Sequence, residues 1–329
     1  MGSENEYYYR NKMEFSFSDS KWLTRDQIES DEIIENKNAI GLHIPGMWDK
    51  VLDISECHLQ RDPSNAIRNF IKAKAEELQL PFFNTRNQTG VLRTLMIRIS
   101  SNGEIMVLIQ FYKDDETKRK ELLEDIASEF PEITSLLYVI NSKANDTLYD
   151  QKIICHSGRD HIFEEMEGLK FKINAKSFYQ TNSKQAHELY KVVRDFAELS
   201  GDELVYDLYT GTGTIAQFLS KDAKRIIGIE SVPEAIDAAN ENTKLNAIDN
   251  IEFIVGDMKK VFNKEFIDKN GVPDVVITDP PRDGMHKDVV NQLIELAQII
   301  RGERENPYPL EHELTVQECL LAACGYPLS

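Results

Sequence analysis

From Leu169 to Ala297 apolar runs alternate with helical patterns, and this rhythm constrains the fold more than any other feature of the chain. A helical period over Lys184–Leu199 precedes "ELVYDLY". A glycine-bearing turn then opens "TIAQFLSKD", and "RIIGIE", "PEAIDAANENTKLNA", "IEFIVGD" and "PDVVITDPP" follow in order. Strands separated by crossover helices pair parallel, with helices on both faces of the sheet. These strand segments are apolar nearly throughout, as strands covered on both faces must be. The pattern predicts a Rossmann-like α/β domain, a parallel doubly wound sheet, over residues 166–300.

The preceding residues read differently. "KMEFSFS" alternates like a half-buried strand, "AIGLHIPG" ends in a turn signal, and "LMIRISSNGEIMVLIQFY" is two runs around a hairpin turn. Helical patterns, "SNAIRNFIKAKAEELQL" and "TKRKELLEDIASEF", separate them. Residues 1–165 are expected to form an α+β module, and residues 301–329, which do not continue the strand–helix rhythm, an atypical tail.

The chain carries 38 basic against 56 acidic residues, a net charge of −18. That balance argues against a non-specific nucleic-acid coat, which needs positive surface. The charge is uneven, however. Leu78–Gly103 holds no acid but has Arg86, Arg93 and Arg98, and Gly168–His187 holds none but has Lys170, Lys172, Lys176 and Lys184. Such strips suit a module that reads one particular RNA surface; chance clustering on solvated faces is the other reading. Cys57, Cys155, Cys319 and Cys324 lack C-x-x-C spacing, so neither a disulfide scaffold nor a self-contained zinc site is expected. No apolar run approaches the roughly 20 residues of a membrane span, and the polar start "MGSENEYYYR" is unlike a signal peptide. A cytoplasmic monomer with no membrane partner is expected.

The turn "YDLYTGTGTIA" carries the first chemical signal. Gly211 and Gly213 permit torsions and a close ligand approach that a Cβ would block, and Gly211 to Ala216 fits the dinucleotide fingerprint G-x-G-x-x-A. Glu230, ending the next strand, is placed for ribose hydroxyls. Alone this indicates an adenosine cofactor, NAD or S-adenosyl-L-methionine. Asp207, four residues before Gly211, would repel a pyrophosphate and suits an ammonium group, and Asp257 is placed to read an adenine amine. With Asp279, four acids fall at strand ends, where ligands bind in open α/β sheets. Any one could be a helix-capping or turn acid; together they favour S-adenosyl-L-methionine, hence a class I methyltransferase domain.

The fourth strand runs into Asp279-Pro280-Pro281-Arg282. Asp-Pro-Pro followed by Tyr or Phe typifies enzymes that methylate a nitrogen, the aromatic stacking on the base. Here Arg282 stands in that place, and a guanidinium pairs with a carbonyl-rich base or a phosphate. This moves the expected acceptor from an amine towards uracil.

"FYQTNSKQAHELY", "YDLYTGTGT", "IGIESVPEAI" and "TDPPRDGMH", in that order, resemble the RNA (uracil-5-)-methyltransferases, which form 5-methyluridine in ribosomal or transfer RNA. "YYYRNKMEFSFS", "GLHIPGMWDKVLDISECHL" and "VLRTLMIRISSNGEIMVLI" are similar to that family's central RNA-binding region, so the likeness covers about Tyr7–Ala297. It favours RNA as partner, 23S ribosomal RNA before transfer RNA. The resemblance implies cofactor contacts at Gln180, Tyr209, Glu230 and Asp279, beside Gly211, Gly213 and Asp257. It implies an RNA-facing surface at Arg10, Lys12, Arg93 and Arg98, with Arg282 towards the substrate. Cys57 matches the distant fourth ligand of the family's iron–sulfur cluster, but with no cysteine-rich run beside it Cys57 is an orphan, and no metal is expected.

The resemblance also implies a mechanism: a cysteine thiolate adds to carbon 6 of uracil, carbon 5 attacks the methyl, and a C-terminal glutamate takes the carbon 5 proton. The cysteine belongs in a Ser-Cys-Asn-Pro motif roughly two dozen residues after Asp-Pro-Pro. This chain reads Arg304-Glu305-Asn306-Pro307 there, and Cys319 lies in a Leu/Ala-rich run. The tail after Ala297 therefore looks foreign and the catalytic residue is unknown; with the sheet's last strands missing from the pattern, weak or no cofactor binding and little turnover are expected. The alternatives are an amino-methyltransferase acting on nucleic acid or protein, a catalytically inactive RNA-binding protein, and an NAD-dependent oxidoreductase.

Overall fold

The two alternating runs flanking Ser100–Glu104 pair as an antiparallel hairpin in the computed structural model, which describes residues 2–30 and 34–301. In chain order the elements begin with β1 (Lys12–Ser18), α1 (Arg25–Glu29), β2 (Ala39–Ile44), β3 (Met47–Asp53), α2 (Ser64–Glu77), β4 (Leu92–Ile99) and β5 (Ile105–Phe111). There follow α3 (Glu116–Glu129), β6 (Ile133–Ile140), β7 (Ile154–Gly158), β8 (His161–Met166), β9 (Leu169–Asn174) and α4 (Ser183–Ala197). The remainder is β10 (Leu204–Leu208), α5 (Thr214–Leu219), β11 (Arg225–Glu230), α6 (Pro233–Leu245), β12 (Ile251–Val255), α7 (Met258–Val261), α8 (Lys264–Asn270), β13 (Val275–Thr278) and α9 (Lys287–Arg301).

These elements build two units. Among the described residues, the N-terminal unit is Tyr7–Glu165 with Lys172–Lys184; the C-terminal unit is residues 2–6, Met166–Phe171 and residues 185–301. The segment carrying Gln180 therefore belongs to the N-terminal unit although it follows residue 165 in sequence.

In the N-terminal unit seven strands lie in the order β3-β2-β1-β4-β5-β6-β7. Neighbours are antiparallel except β5 and β6, which run parallel because the crossover helix α3 joins them. Asp115 starts that helix by accepting the Lys118 N–H at 3.2 Å. On α2, Ile67, Ile71 and Ala75 recur every four residues, and α3 buries Leu122, Leu123 and Ile126; both stripes join Phe15, Phe17, Ile97 and Ile109 in one core. Each buried leucine, isoleucine or phenylalanine here contributes roughly 1.5–3 kcal/mol by leaving water.

The C-terminal unit carries the expected parallel sheet, ordered β12-β11-β10-β13. The chain steps outward from β10 to β12, then returns to lay β13 on the other side of β10. The switch point of this doubly wound sheet thus falls between β10 and β13, where a crevice forms outside the carboxyl ends. Tyr206, Leu208, Ile227 and Ile229 pack with Phe262, Phe266, Val289 and Leu296 on one face, while α5 buries all six of its residues. Among the described residues no helix is long and apolar enough to cross a membrane. The expectations for Asn306, Pro307, Cys319 and Cys324 lie outside the described residues.

Candidate functional site

At the carboxyl end of β10 the backbone enters a left-handed turn: φ is 63° at Tyr209, 56° at Gly211 and 72° at Gly213. A Cβ on Gly213 would collide with the Phe253 ring and press on Ala239, so this glycine is required for α5 to close on its neighbours. A Cβ on Gly211 would meet nothing within 4 Å, which leaves open space against the main chain. One glycine serves packing and the other keeps the backbone approachable.

Glu230 organises the same turn. Its Oε1 accepts from Ser231 N at 2.7 Å, Ser231 Oγ at 3.0 Å and Val232 N at 3.0 Å. Oε2 accepts from Gly211 N at 3.2 Å and, with two acceptor positions, retains capacity for a hydroxyl. Asp257 caps α7, its Oδ1 accepting the Lys259 N–H at 3.0 Å.

Asp207 is only 1% exposed. Thr210 donates to its Oδ2 at 2.5 Å, and Oδ1 has no hydrogen-bond partner among the described residues. Burial, opposed by the Thr210 bond and assisted by the charge of Asp279, pushes the carboxyl up to about 7. In this structure the carboxyl is closed off from solvent and accepts from Thr210, and its burial favours the protonated form.

Beside the turn lies a cavity of about 370 Å³, bounded by Tyr209, Ser231, Asp257, Met258, His286 and Val289. That volume is within the range of small-ligand sites, and its walls mix apolar surface with a few polar groups. The strand-end pattern indicates Asp257 and the family resemblance Tyr209, but neither points to His286 or Val289. These reach the cavity from the start of α9, and only the return of β13 beside β10 brings them there. Lys259 and Asp288, 3.0 Å apart, tie α7 to α9.

Asp279 follows β13. Its side chain is exposed, yet partial desolvation by neighbouring atoms raises its carboxyl above the usual range. The Gly284 N–H donates to the Pro281 carbonyl at 2.8 Å, closing a turn that leaves Arg282 exposed. Tyr190 is buried, and burial with the charges of Asp279 and Asp207 raises its phenol.

In the N-terminal unit the structure corrects two expectations. Arg93, 7% exposed, donates to the carbonyls of Lys143 at 2.7 Å and Ala144 at 2.8 Å, and its guanidinium lies 4.8 Å from the centre of the Phe83 ring. Arg98 is 3% exposed, and burial lowers its guanidinium to about 10. Neither offers its charge to a phosphate, because β4 is covered on both faces and both side chains are buried. Arg10 is half-buried and donates to the Lys12 carbonyl at 3.4 Å; Lys12 pairs with Glu14 at 2.8 Å. Lys12 also borders a groove of about 260 Å³ with Thr94, Gln110, Tyr149, Lys176 and Phe178.

Cys57 is buried, and its N–H donates to Asn65 Oδ1 at 2.8 Å. One thiol is a quarter of what an iron–sulfur cluster takes. Among the described residues no group of three or more His, Cys, Asp or Glu stands together for a metal.

Residues 99–317 match the family described as tRNA (Uracil-5-)-methyltransferase. The chain belongs to this family. The match runs past Ala297, beyond the point where the strand–helix rhythm breaks. An uncharacterized RNA methyltransferase of Porphyromonas gingivalis is 55% identical over 302 residues, covering 90% of this chain and 65% of that protein. One of Clostridium acetobutylicum is 35% identical over 331 residues, covering 99% of this chain and 68% of the relative. The chain thus spans about 65% of the length of the first of these family members. The crystal structure of Pyrococcus abyssi tRNA (uracil-54, C5)-methyltransferase in complex with S-adenosyl-L-homocysteine superposes with a TM-score of 0.70 at 26% identity, covering 90% of this chain and 65% of that one. The fold is the Rossmann-like one of S-adenosyl-L-methionine-dependent methyltransferases.

Proposed function

We propose that the protein is an S-adenosyl-L-methionine-dependent methyltransferase acting on carbon 5 of a uridine in structured RNA. One observation carries this reading: the glycine turn, Glu230 and the Asp257-bordered cavity share the carboxyl edge of a sheet whose switch point opens beside Asp279-Pro280-Pro281-Arg282. Tyr209, Met258 and Val289 would pack on an adenine, Glu230 Oε2 would accept from a ribose hydroxyl, and Gly211 would let the chain approach. Gln180 and Asp279 are proposed as further ligand contacts from the sequence likeness. When bound, the cofactor supplies an electrophilic methyl group.

Arg282 would donate to a uracil carbonyl or an adjacent phosphate, and the base would leave its stack to arrive there. Arg10 and Lys12 remain the proposed RNA contacts of the N-terminal unit. The motif order favours 23S ribosomal RNA, in the cytoplasm and with the protein a monomer. A transfer-RNA uridine is the second reading, favoured by the likeness to the Pyrococcus abyssi enzyme. We further propose little turnover for this 329-residue chain, since Arg304-Glu305-Asn306-Pro307 offers no thiolate where the family places one.

Incubation with labelled S-adenosyl-L-methionine and either 23S fragments or transfer RNA, with nucleoside analysis of the product, tests these points. 5-Methyluridine at trace level supports the reading, an N-methylated nucleoside overturns it, and stoichiometric methylation sinks the claim of low turnover. Saturable binding of S-adenosyl-L-homocysteine, with none of NADH, is expected by calorimetry.

A further inference from the structure

The chain leaves β13, makes the turn closed by Gly284, and enters α9 at His286 on the rim of the cavity. The His286 carbonyl accepts from Val289 N at 2.9 Å and Val290 N at 3.2 Å, and its Nδ1 accepts the Asp288 N–H at 3.2 Å. It is therefore the N-cap of α9, a place where Ser, Thr, Asp or Asn is preferred. A backbone N–H can only donate, so Nδ1 carries a lone pair and the neutral ring keeps its hydrogen on Nε2. That second nitrogen makes no hydrogen bond with any described residue. An asparagine would cap the helix as well and present nothing on the far side. Histidine adds a flat ring and a neutral donor of fixed tautomer at the cavity edge.

The charged groups around this donor are already engaged. Lys259 pairs with Asp288 at 3.0 Å, and Asp288 Oδ2 lies 3.6 Å from His286 Nδ1. Asp257 Oδ1 holds the Lys259 N–H at 3.0 Å, and Ser231 Oγ donates to Glu230. The other walls, Tyr209, Met258 and Val289, offer apolar surface. A purine joined to ribose is flat and apolar on its faces, with acceptors at its ring nitrogens. Asp257, ionised, can only accept, which suits an exocyclic amine. The ring nitrogens need donors, and an uncharged imidazole supplies one without placing a cation beside a cationic cofactor.

We propose that His286 reads the adenine of the cofactor, its Nε2–H donating to a purine ring nitrogen. The inference rests on the proposed cofactor site and adds to it a residue that fixes which base is accepted. The same side chain caps α9 with one nitrogen and faces the ligand with the other.

The test uses the full chain, His286→Asn, and four probes: S-adenosyl-L-homocysteine and its 1-, 3- and 7-deazaadenine analogues. His286→Asn keeps a capping oxygen, so its melting temperature should stay within about 2 °C of the parent. By calorimetry it should bind S-adenosyl-L-homocysteine about threefold to tenfold more weakly. One deaza analogue, lacking the nitrogen that His286 meets, should bind the parent and the variant alike. Nitrogen-15 shifts of the His286 ring in the free protein should place the hydrogen on Nε2. Equal losses with all four probes, no loss with any, or a hydrogen on Nδ1 overturns the inference. Binding of all four that His286→Asn leaves unchanged removes His286 and spares the cofactor reading; no binding of any by the parent chain overturns both. Should His286→Asn fail to fold, His286→Ser, also a capping residue, carries the same comparison.

Discussion

Asp207 and Asp279 lie at the carboxyl ends of two adjacent parallel strands. Asp207 stands one residue before β10 ends, and Asp279 just after β13, two residues beyond Ile277, the register partner of Asp207. Burial is the main force on the Asp207 carboxyl, and the charge of Asp279 adds to it, giving a group that titrates near 7.

This pair makes stability pH-dependent in a definite direction. The folded Asp207 carboxyl keeps its proton to higher pH than an unfolded one, so folding takes up a proton between about pH 4 and 7. Its contribution is complete below that window and is lost as pH rises through it, by up to roughly 4 kcal/mol. Asp207→Asn, which mimics the protonated form, should remove this slope. Urea unfolding at several pH values checks it: parallel profiles for the two proteins would refute the assignment.

Gly211 and Gly213 should separate under substitution. Gly213→Ala forces both a left-handed alanine and a clash with Phe253, and should lower stability by about 2–4 kcal/mol. Gly211→Ala meets no neighbour, so it should cost only about 1 kcal/mol while weakening S-adenosyl-L-homocysteine. Thermal unfolding and calorimetry on both variants measure the contrast.

Glu230→Gln keeps the volume of Glu230 but removes the charge that gathers Gly211, Ser231 and Val232. A charge-assisted bond is worth roughly 1.5–3 kcal/mol, so cofactor affinity should fall about tenfold or more. Retained affinity in the titration would remove Glu230 from the site.

Among the basic residues, Arg93→Ala should destabilise the N-terminal unit by about 3 kcal/mol, because it strips the Lys143 and Ala144 carbonyls of their donor. Lys12→Ala should leave stability within about 0.5 kcal/mol. If Lys12 meets a phosphate, it should lower the salt dependence of RNA binding by about one counterion. Filter binding of an RNA fragment at several salt concentrations tells the two apart.

Local patterns are legible in the sequence. "KMEFSFS" forms β1 over its whole length, the runs around "SSNGE" pair as β4 and β5, and the glycine turn sits between β10 and α5. These features depend on side-chain period and on backbone torsions available to glycine, which neighbours along the chain decide. The acids at Glu230, Asp257 and Asp279 are readable for the same reason, since each ends an apolar run. Strand order is not. That β13 returns beside β10, bringing His286 and Val289 to the cavity, depends on hydrogen bonds between residues 70 apart, such as Leu204 N to Asp274 Oδ2. Nor can the acid-free strip disclose that Arg93 and Arg98 are buried, because charge in a sequence does not say which side chains of a strand will be covered. The chain's letters decided the elements and the chemistry at their ends; only tertiary packing, through long-range pairing and the removal of water, decided which of those ends share one cleft.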